Sequence, residues 1–167
     1  MPFNIEPLSS RHNLKDFDCG EDSMNRYLRH FAWQNDKIGL SRTFVVVEDG
    51  EKHVKGYYAL SSGNITYDDV PGEKKGWPKY PVPIVLIGRF AADLRARGQR
   101  LGEMLLIDAL KRSAQVSNEV GCYAVVVDAL NDRARDFYLK YGFMQLDKRL
   151  RLFLLTATIK ELNLVSP

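Results

Sequence analysis

Three histidines and two cysteines in 167 residues leave this chain short of the side chains that metal sites and imidazole or thiol chemistry require. Cys19 and Cys122 stand too far apart for a zinc-type spacing and too few for a disulfide framework, so both are expected to be reduced packing residues. His12, His30 and His53 all lie in the N-terminal half, away from any motif, which argues against a histidine general base. No apolar run reaches the ~20 residues that cross a bilayer, and no signal peptide opens the chain. A cytoplasmic protein without membrane association is therefore expected. Linkers, repeats and low-complexity tracts are also missing. With 45% hydrophobic residues, one domain over 1–167, large enough to bury its own core, is expected.

What the chain does carry is concentrated after residue 84. Residues 1–85 hold 11 Lys+Arg against 12 Asp+Glu and residues 86–167 hold 13 against 9, so the net charge of +3 arises in the second part. There an apolar strand over 84–92 runs into Arg95-Ala96-Arg97-Gly98-Gln99-Arg100-Leu101-Gly102. An apolar-faced helix with Leu101, Met104, Leu105, Ile107 and Leu110 follows, then a buried strand over 122–127. A helix N-terminus leaves N–H groups unpaired and carries partial positive charge, so a glycine-bearing loop entering a helix is a natural seat for a phosphate. Gly98 and Gly102 alone fit a tight strand-to-helix turn equally well; Arg95, Arg97 and Arg100 favour an anion. Asn131 or Asp132 then caps a helix that carries Phe137 and Tyr138 and ends at Gly142, where a left-handed C-cap suits glycine.

The first half is plainer. Asp22-Ser23 can cap a helix of about three turns, with Met24, Tyr27, Leu28 and Phe31 on one stripe facing a core. Thr43–Glu48 and His53–Ser62 are expected to form a hairpin across Asp49-Gly50. From Tyr67 to Pro83 a loop rich in proline and aromatics, with Trp77 and Tyr80, is suited to cover a substrate or dock a partner. A strand from Arg151 to Thr158 closes the sheet. The alternation of elements gives an α/β class, with a mixed twisted central sheet, helices on both faces and a ligand crevice at the carboxyl ends of the central strands.

Taken together, Arg97-Gly98-Gln99-Arg100-Leu101-Gly102 and Asn131…Phe137-Tyr138…Gly142-Phe143 resemble the GNAT family of N-acetyltransferases. The family's loop reads Gln/Arg-x-x-Gly-x-Gly/Ala, and Arg100 stands where the central glycine would be. Phe17-Asp18-Cys19-Gly20, Met24-Asn25-Arg26-Tyr27-Leu28-Arg29 and Ser41–Val47 narrow the resemblance to the acetyltransferase toxins of type II toxin–antitoxin pairs, which acetylate the α-amino group of aminoacyl-tRNA and block translation. The resemblance covers nearly the whole chain and implies a GNAT fold whose splayed central strands bind acetyl-CoA. It further implies cofactor contacts at Phe90, Ala91, Ala92, Arg97, Gly98, Gln99, Arg100, Leu101, Gly102, Glu103, Asn131 and Phe137, with Tyr138 as the catalytic residue donating to the CoA sulfur. Implied partners are aminoacyl-tRNA, a ribbon-helix-helix antitoxin encoded alongside, and a second copy of the chain in a homodimer.

Alternatives stay open. An acetyltransferase of this kind could act on a small amine or a protein N-terminus, and Arg100 could have turned the cofactor seat into a non-catalytic binding module. Lys74, Lys75, Lys79, Lys140, Lys148, Arg149 and Arg151 are either a basic rim for tRNA phosphates or an ordinary solvated surface. Tyr138 by spacing alone is either the acid or an aromatic anchor beside Phe137. Trp33, Trp77 and Tyr80 are candidates to shape the acceptor pocket.

Overall fold

The structure, a computed structural model, describes residues 2–70, 76–146 and 150–162. In chain order the elements are β1 (Phe3–Pro7), α1 (Asp22–Arg26), a π-helical turn (Tyr27–Phe31), α2 (Ala32–Lys37), β2 (Arg42–Glu48) and β3 (Gly56–Ile65). A 3-10 turn (Tyr67–Asp69), β4 (Val82–Ala92), a second 3-10 turn (Leu94–Ala96) and α3 (Leu101–Val116) follow. The chain ends with β5 (Ala124–Asp128), α4 (Asp132–Lys140), β6 (Met144–Gln145), β7 (Arg151–Leu155) and α5 (Thr156–Glu161). The strands hydrogen-bond in the order β1-β2-β3-β4-β5-β7-β6, with β4 and β5 parallel and β5 and β7 antiparallel. The expected mixed α/β sheet is present. The chain divides into two compact units, Met1–Ser61 with Gly88–Ala109, and Ser62–Ile87 with Leu110–Pro167.

In the first unit β1, β2 and β3 pair antiparallel. Val45, Val46 and Val47 are buried, and the core gathers Phe17, Met24, Tyr27, Leu28, Ala32, Tyr57 and Ala91. β1 is absent from the sequence-based expectation because a five-residue strand ending in proline is legible only as an edge, where its missing N–H costs nothing. The helical stripe also differs. Ala32 N–H reaches back to Tyr27 O, and this π-type turn inserts one residue. Phe31 is thereby rotated out to 50% exposure while Ala32 takes the buried place. Asp22 and Ser23 lie inside the first turn of α1, whose N-cap position is Glu21 with no side-chain cap. The anchor is instead at the far end of α2. Buried Asp36 accepts from Thr43 N–H at 3.0 Å and Thr43 Oγ1 at 3.0 Å, tying α2 to β2.

The expected hairpin is shorter than its pattern. Gly50 turns the chain at φ +82°, but residues 52–54 bond to Asn13 rather than to β2, so β3 begins only at Gly56. A Cβ at Gly56 would meet Ala91 O at 3.1 Å, Val46 Cγ1 at 3.0 Å and Leu105 Cδ1 at 3.0 Å. Glycine is therefore what lets β3, the end of β4 and α3 approach here.

In the second unit Ala124–Val127 are fully buried between β4 (Ile84–Ile87) and β7 (Leu152–Leu155), which explains their unbroken apolar run. Trp77 lies edge-on to Tyr123 at 5.0 Å and Phe153 at 5.4 Å and packs on a core of Ile65, Val82, Ala124, Val126 and Leu146. The closing strand stops at Leu155, not Thr158. Thr156 N–H bonds to Tyr123 O at 3.0 Å and its hydroxyl reaches Cys122 Sγ at 3.5 Å, so tertiary anchoring starts α5 in a stretch whose threonines suit a strand.

Candidate functional site

The loop entering α3 belongs to the first unit, and its local geometry follows from a turn that precedes it. β4 ends at Ala92, and Asp93 caps the 3-10 turn Leu94–Ala96. Its buried carboxylate accepts from Arg95 N–H at 2.8 Å, from Arg95 Nε at 2.9 Å and Nη2 at 2.8 Å, and from Asp18 N–H at 3.0 Å. Leu94 N–H returns a bond to Asp18 O at 2.8 Å. Burial alone raises the Asp93 pKa, but these donors outweigh it and hold the carboxyl down to about 2. Arg95 is consequently not the phosphate-side cation its spacing suggests. Its guanidinium is forked onto Asp93 and also bonds Asp16 O. Sequence reasoning passed over Asp93, although an aspartate one residue past a strand and two before an arginine is a recognisable Asx-turn signal.

Beyond this turn the chain reverses at Gly98, φ +83°, and at Arg100, φ +58°, the one non-glycine residue with positive φ among the described residues. Arg100 thus holds a left-handed dihedral of the kind that favours glycine. Nothing lies within 4 Å of a Cβ at Gly98. Arg97, Gly98, Gln99 and Arg100 are exposed, Leu101 is buried, and Gly102 and Glu103 are half-buried at the head of α3. The first backbone bond into the helix is Met104 N–H to Arg100 O at 3.1 Å, so the N–H groups of Leu101, Gly102 and Glu103 precede the hydrogen-bonded ladder. Along β4 in the same unit, Ala91 is buried and packs in the core, while Phe90 and Ala92 are half-buried.

The second unit holds the remaining candidates on α4. Asn131, extended at φ −158°, caps it, its Oδ1 accepting from Ala134 N–H at 2.9 Å. Its side-chain oxygen is thus engaged in starting the helix that carries Tyr138. Tyr138 is 4% exposed, and burial pushes its phenol well above the ordinary range. Phe137 packs edge-on to Tyr138 at 5.4 Å and against Tyr141 at 5.0 Å, and Phe143 covers Tyr138 from beyond the turn at 5.5 Å. That turn is made by Gly142 at φ +93°, with Phe143 N–H returning to Tyr138 O at 3.3 Å.

Of the remaining cations, Lys74, Lys75, Lys148 and Arg149 lie outside the described residues. Arg151 is forked onto Asp128 at 2.7 and 3.1 Å, and Lys140 sits over the Tyr141 ring at 5.7 Å. Lys79 is exposed. Trp77 is committed to the second unit's core, whereas Trp33, in the first unit, and Tyr80, in the second, are 44% and 69% exposed. No group of three or more histidine, cysteine or acidic side chains able to hold a metal occurs among the described residues. Among them no helix is long and apolar enough to cross a membrane.

Residues 40–145 match a family model described as an acetyltransferase (GNAT) domain. The chain is 40% identical over 136 residues, 81% of each sequence, to the tRNA-acetylating toxin of Mycobacterium tuberculosis (strain ATCC 25618 / H37Rv). Among solved structures it is similar to AtaT complexed with acetyl-methionyl-tRNAfMet, with a TM-score of 0.89 and 29% identity over 97% of this chain and 99% of that one. A tyrosine-to-phenylalanine mutant of the AtaT toxin, bound to the C-terminus of the antitoxin AtaR and acetyl-CoA, gives a TM-score of 0.84 and 28% identity over 96% and 98%.

Proposed function

The chain belongs to the GNAT acetyltransferase family, and from that premise we propose that it is a toxin that transfers acetyl from acetyl-CoA to the α-amino group of aminoacyl-tRNA and so stops translation. The observation that carries this reading is the 40% identity, over 81% of the chain, to a tRNA-acetylating toxin. The residues fit the co-substrate. A pyrophosphate would meet the N–H groups of Leu101, Gly102 and Glu103 and the positive end of a 16-residue helix, with the exposed guanidinium groups of Arg97 and Arg100 beside them. Phe90, Ala91, Ala92, Gly98, Gln99, Asn131 and Phe137 complete the proposed contacts. The same reading supplies a C-terminal antitoxin segment as regulator, with a ribbon-helix-helix region at the antitoxin's other end, and a homodimeric, cytoplasmic enzyme.

Acetyl-CoA supplies an activated acyl carbon: a C–N bond forms, the C–S bond breaks, and sulfur leaves with the electron pair. The acceptor needs little help. An α-amino group has a pKa near ~8, so roughly a tenth is already neutral at pH 7, whereas a lysine amine near ~10.4 would need a base. Among the protein's own residues, buried Tyr138 is the proposed partner of the sulfur. Its phenol begins near ~10 against ~8.5 for a thiol, an uphill proton transfer of about 2 kcal/mol, and burial raises it further. Tyr138 therefore keeps its proton and donates a hydrogen bond that strengthens as sulfur gains charge. The amine's released proton completes the thiol. Backbone N–H groups of Phe90 and Ala91 are the proposed donors to the carbonyl oxygen as charge builds there.

The test is transfer of labelled acetyl from acetyl-CoA to a pool of charged tRNA, with uncharged tRNA and Tyr138→Phe protein as controls. Label is expected only on charged tRNA, with Tyr138→Phe slower by about 10²–10⁴-fold. Label on small amines or protein N-termini, but not on charged tRNA, would replace the acceptor.

A further inference from the structure

Arg89 stands out in the first unit. It lies on β4 immediately before Phe90, is half-buried, and has no carboxylate partner among the described residues. Its guanidinium carbon lies 4.6 Å above the centre of the Tyr27 ring. A partly desolvated arginine without an acid is uncommon in a packed region, because the charge loses hydration without compensation. Here the compensation is a ring face, and that ring is held on every side. Tyr27 stacks on Tyr57 at 6.4 Å and 10° and on Phe31 at 6.4 Å and 24°. Its hydroxyl is within 3.1 Å of Ser41 Oγ and accepts from Asn35 Nδ2 at 3.2 Å. Ser41 Oγ leads on to buried Asp36 at 3.4 Å. The π-turn that expels Phe31 leaves this outer ring of the stack exposed, while Tyr27 and Tyr57 stay buried behind it.

A ring face offsets the charge of a guanidinium without using its N–H donors, and those donors are the fork that grips a phosphate oxygen pair. Arg89 sits about 10 Å back along the strand from Ala92, before the turn that leads to the Arg97–Gly102 loop. The anion it meets is thus separate from the pyrophosphate assigned there. We propose that Arg89 is a specificity-determining residue for the acceptor: it binds the phosphodiester that carries the terminal aminoacylated nucleoside of charged tRNA, with Tyr27 as its rigid support. The proposal rests on the aminoacyl-tRNA reading above. It gives the enzyme a way to prefer a charged nucleic acid end over a free amino-acid amine or a protein N-terminus, neither of which presents that phosphate.

The experiment compares two acceptors with the same α-amino group, charged tRNA and a phosphate-free aminoacyl-adenosine analogue, using native protein, Arg89→Gln and Arg89→Lys. For Arg89→Gln the ratio of kcat/KM on tRNA to that on the analogue is expected to fall by tenfold or more, and the log–log salt slope on tRNA to lose about one unit. Arg89→Lys keeps the charge but not the fork, and should recover part of the ratio and most of the slope. Equal losses on both acceptors, or an unchanged ratio and slope, would overturn the assignment, since a structural role moves both acceptors together. If native protein acetylates the analogue but never charged tRNA, the aminoacyl-tRNA reading itself fails, which is a separate and distinguishable result.

Discussion

Replacing Arg100 by glycine is expected to stabilise the protein while weakening its hold on acetyl-CoA. The φ of +58° at Arg100 is left-handed, a conformation that costs an L-residue about 1–2 kcal/mol. Glycine removes that cost but adds unfolded-chain entropy worth about 0.4–1 kcal/mol, leaving a net gain of roughly 0.5–1 kcal/mol. For a chain of this length that is a rise in Tm of about 1–4 °C. On the ligand side, the exposed guanidinium is lost. A charge-assisted hydrogen bond to phosphate contributes ~1.5–3 kcal/mol when well formed, and solvent exposure discounts it toward the low end, about tenfold in Kd. Arg100→Ala separates the two effects, because alanine keeps the strained dihedral and loses only the cation. It should bind about as weakly as the glycine variant and gain nothing in Tm. Differential scanning calorimetry of the free proteins and titration calorimetry with acetyl-CoA at two salt concentrations read both quantities. The binding loss should shrink as salt rises. If Arg100→Gly bound acetyl-CoA as tightly as the parent at low salt, the arginine would be no phosphate ligand; if it melted below Arg100→Ala, the strain argument would be wrong.

Other consequences are checked more simply. Asp93 titrates at about 2 in the folded protein against ~3.9 unfolded. Its stabilisation, about 2.5 kcal/mol, is therefore full above pH ~5 and lost as pH falls through the folded value; acid unfolding of Asp93→Asn, followed by circular dichroism, should show a shallower dependence across that window. Asp93→Ala additionally leaves the N–H groups of Asp18 and Arg95 without their acceptor, and should cost about 2–3 kcal/mol in denaturant melts. Removing the α4 cap with Asn131→Ala should cost about 1 kcal/mol, while Asn131→Asp, which keeps the acceptor oxygen, should restore most of it.

What could be read in the sequence alone was whatever depends on neighbours in the chain. Gly98 and Gly142 declare turns because few other residues accept positive φ, Asn131 declares a helix start because its side chain satisfies an N–H three residues on, and the Ala124–Val127 run declares a strand buried on both faces. These local rules also located Tyr138 on a capped helix and the loop at the head of α3. Tertiary structure decided the rest, because the deciding partners are far away in sequence. The Asx turn that draws Arg95 onto Asp93 is local, but the burial of that carboxylate and its further bond from the N–H of Asp18, 75 residues earlier, are not. The strand expected to reach Thr158 becomes a helix at Thr156 because Tyr123 and Cys122 hold its first residue. Phe31 leaves its stripe through a π-turn that no 3.6-residue period contains, and Arg89 finds a ring where an acid would ordinarily be. Periodicity and turn chemistry act over a few residues, whereas burial, charge compensation and stacking depend on which distant side chains the fold brings together.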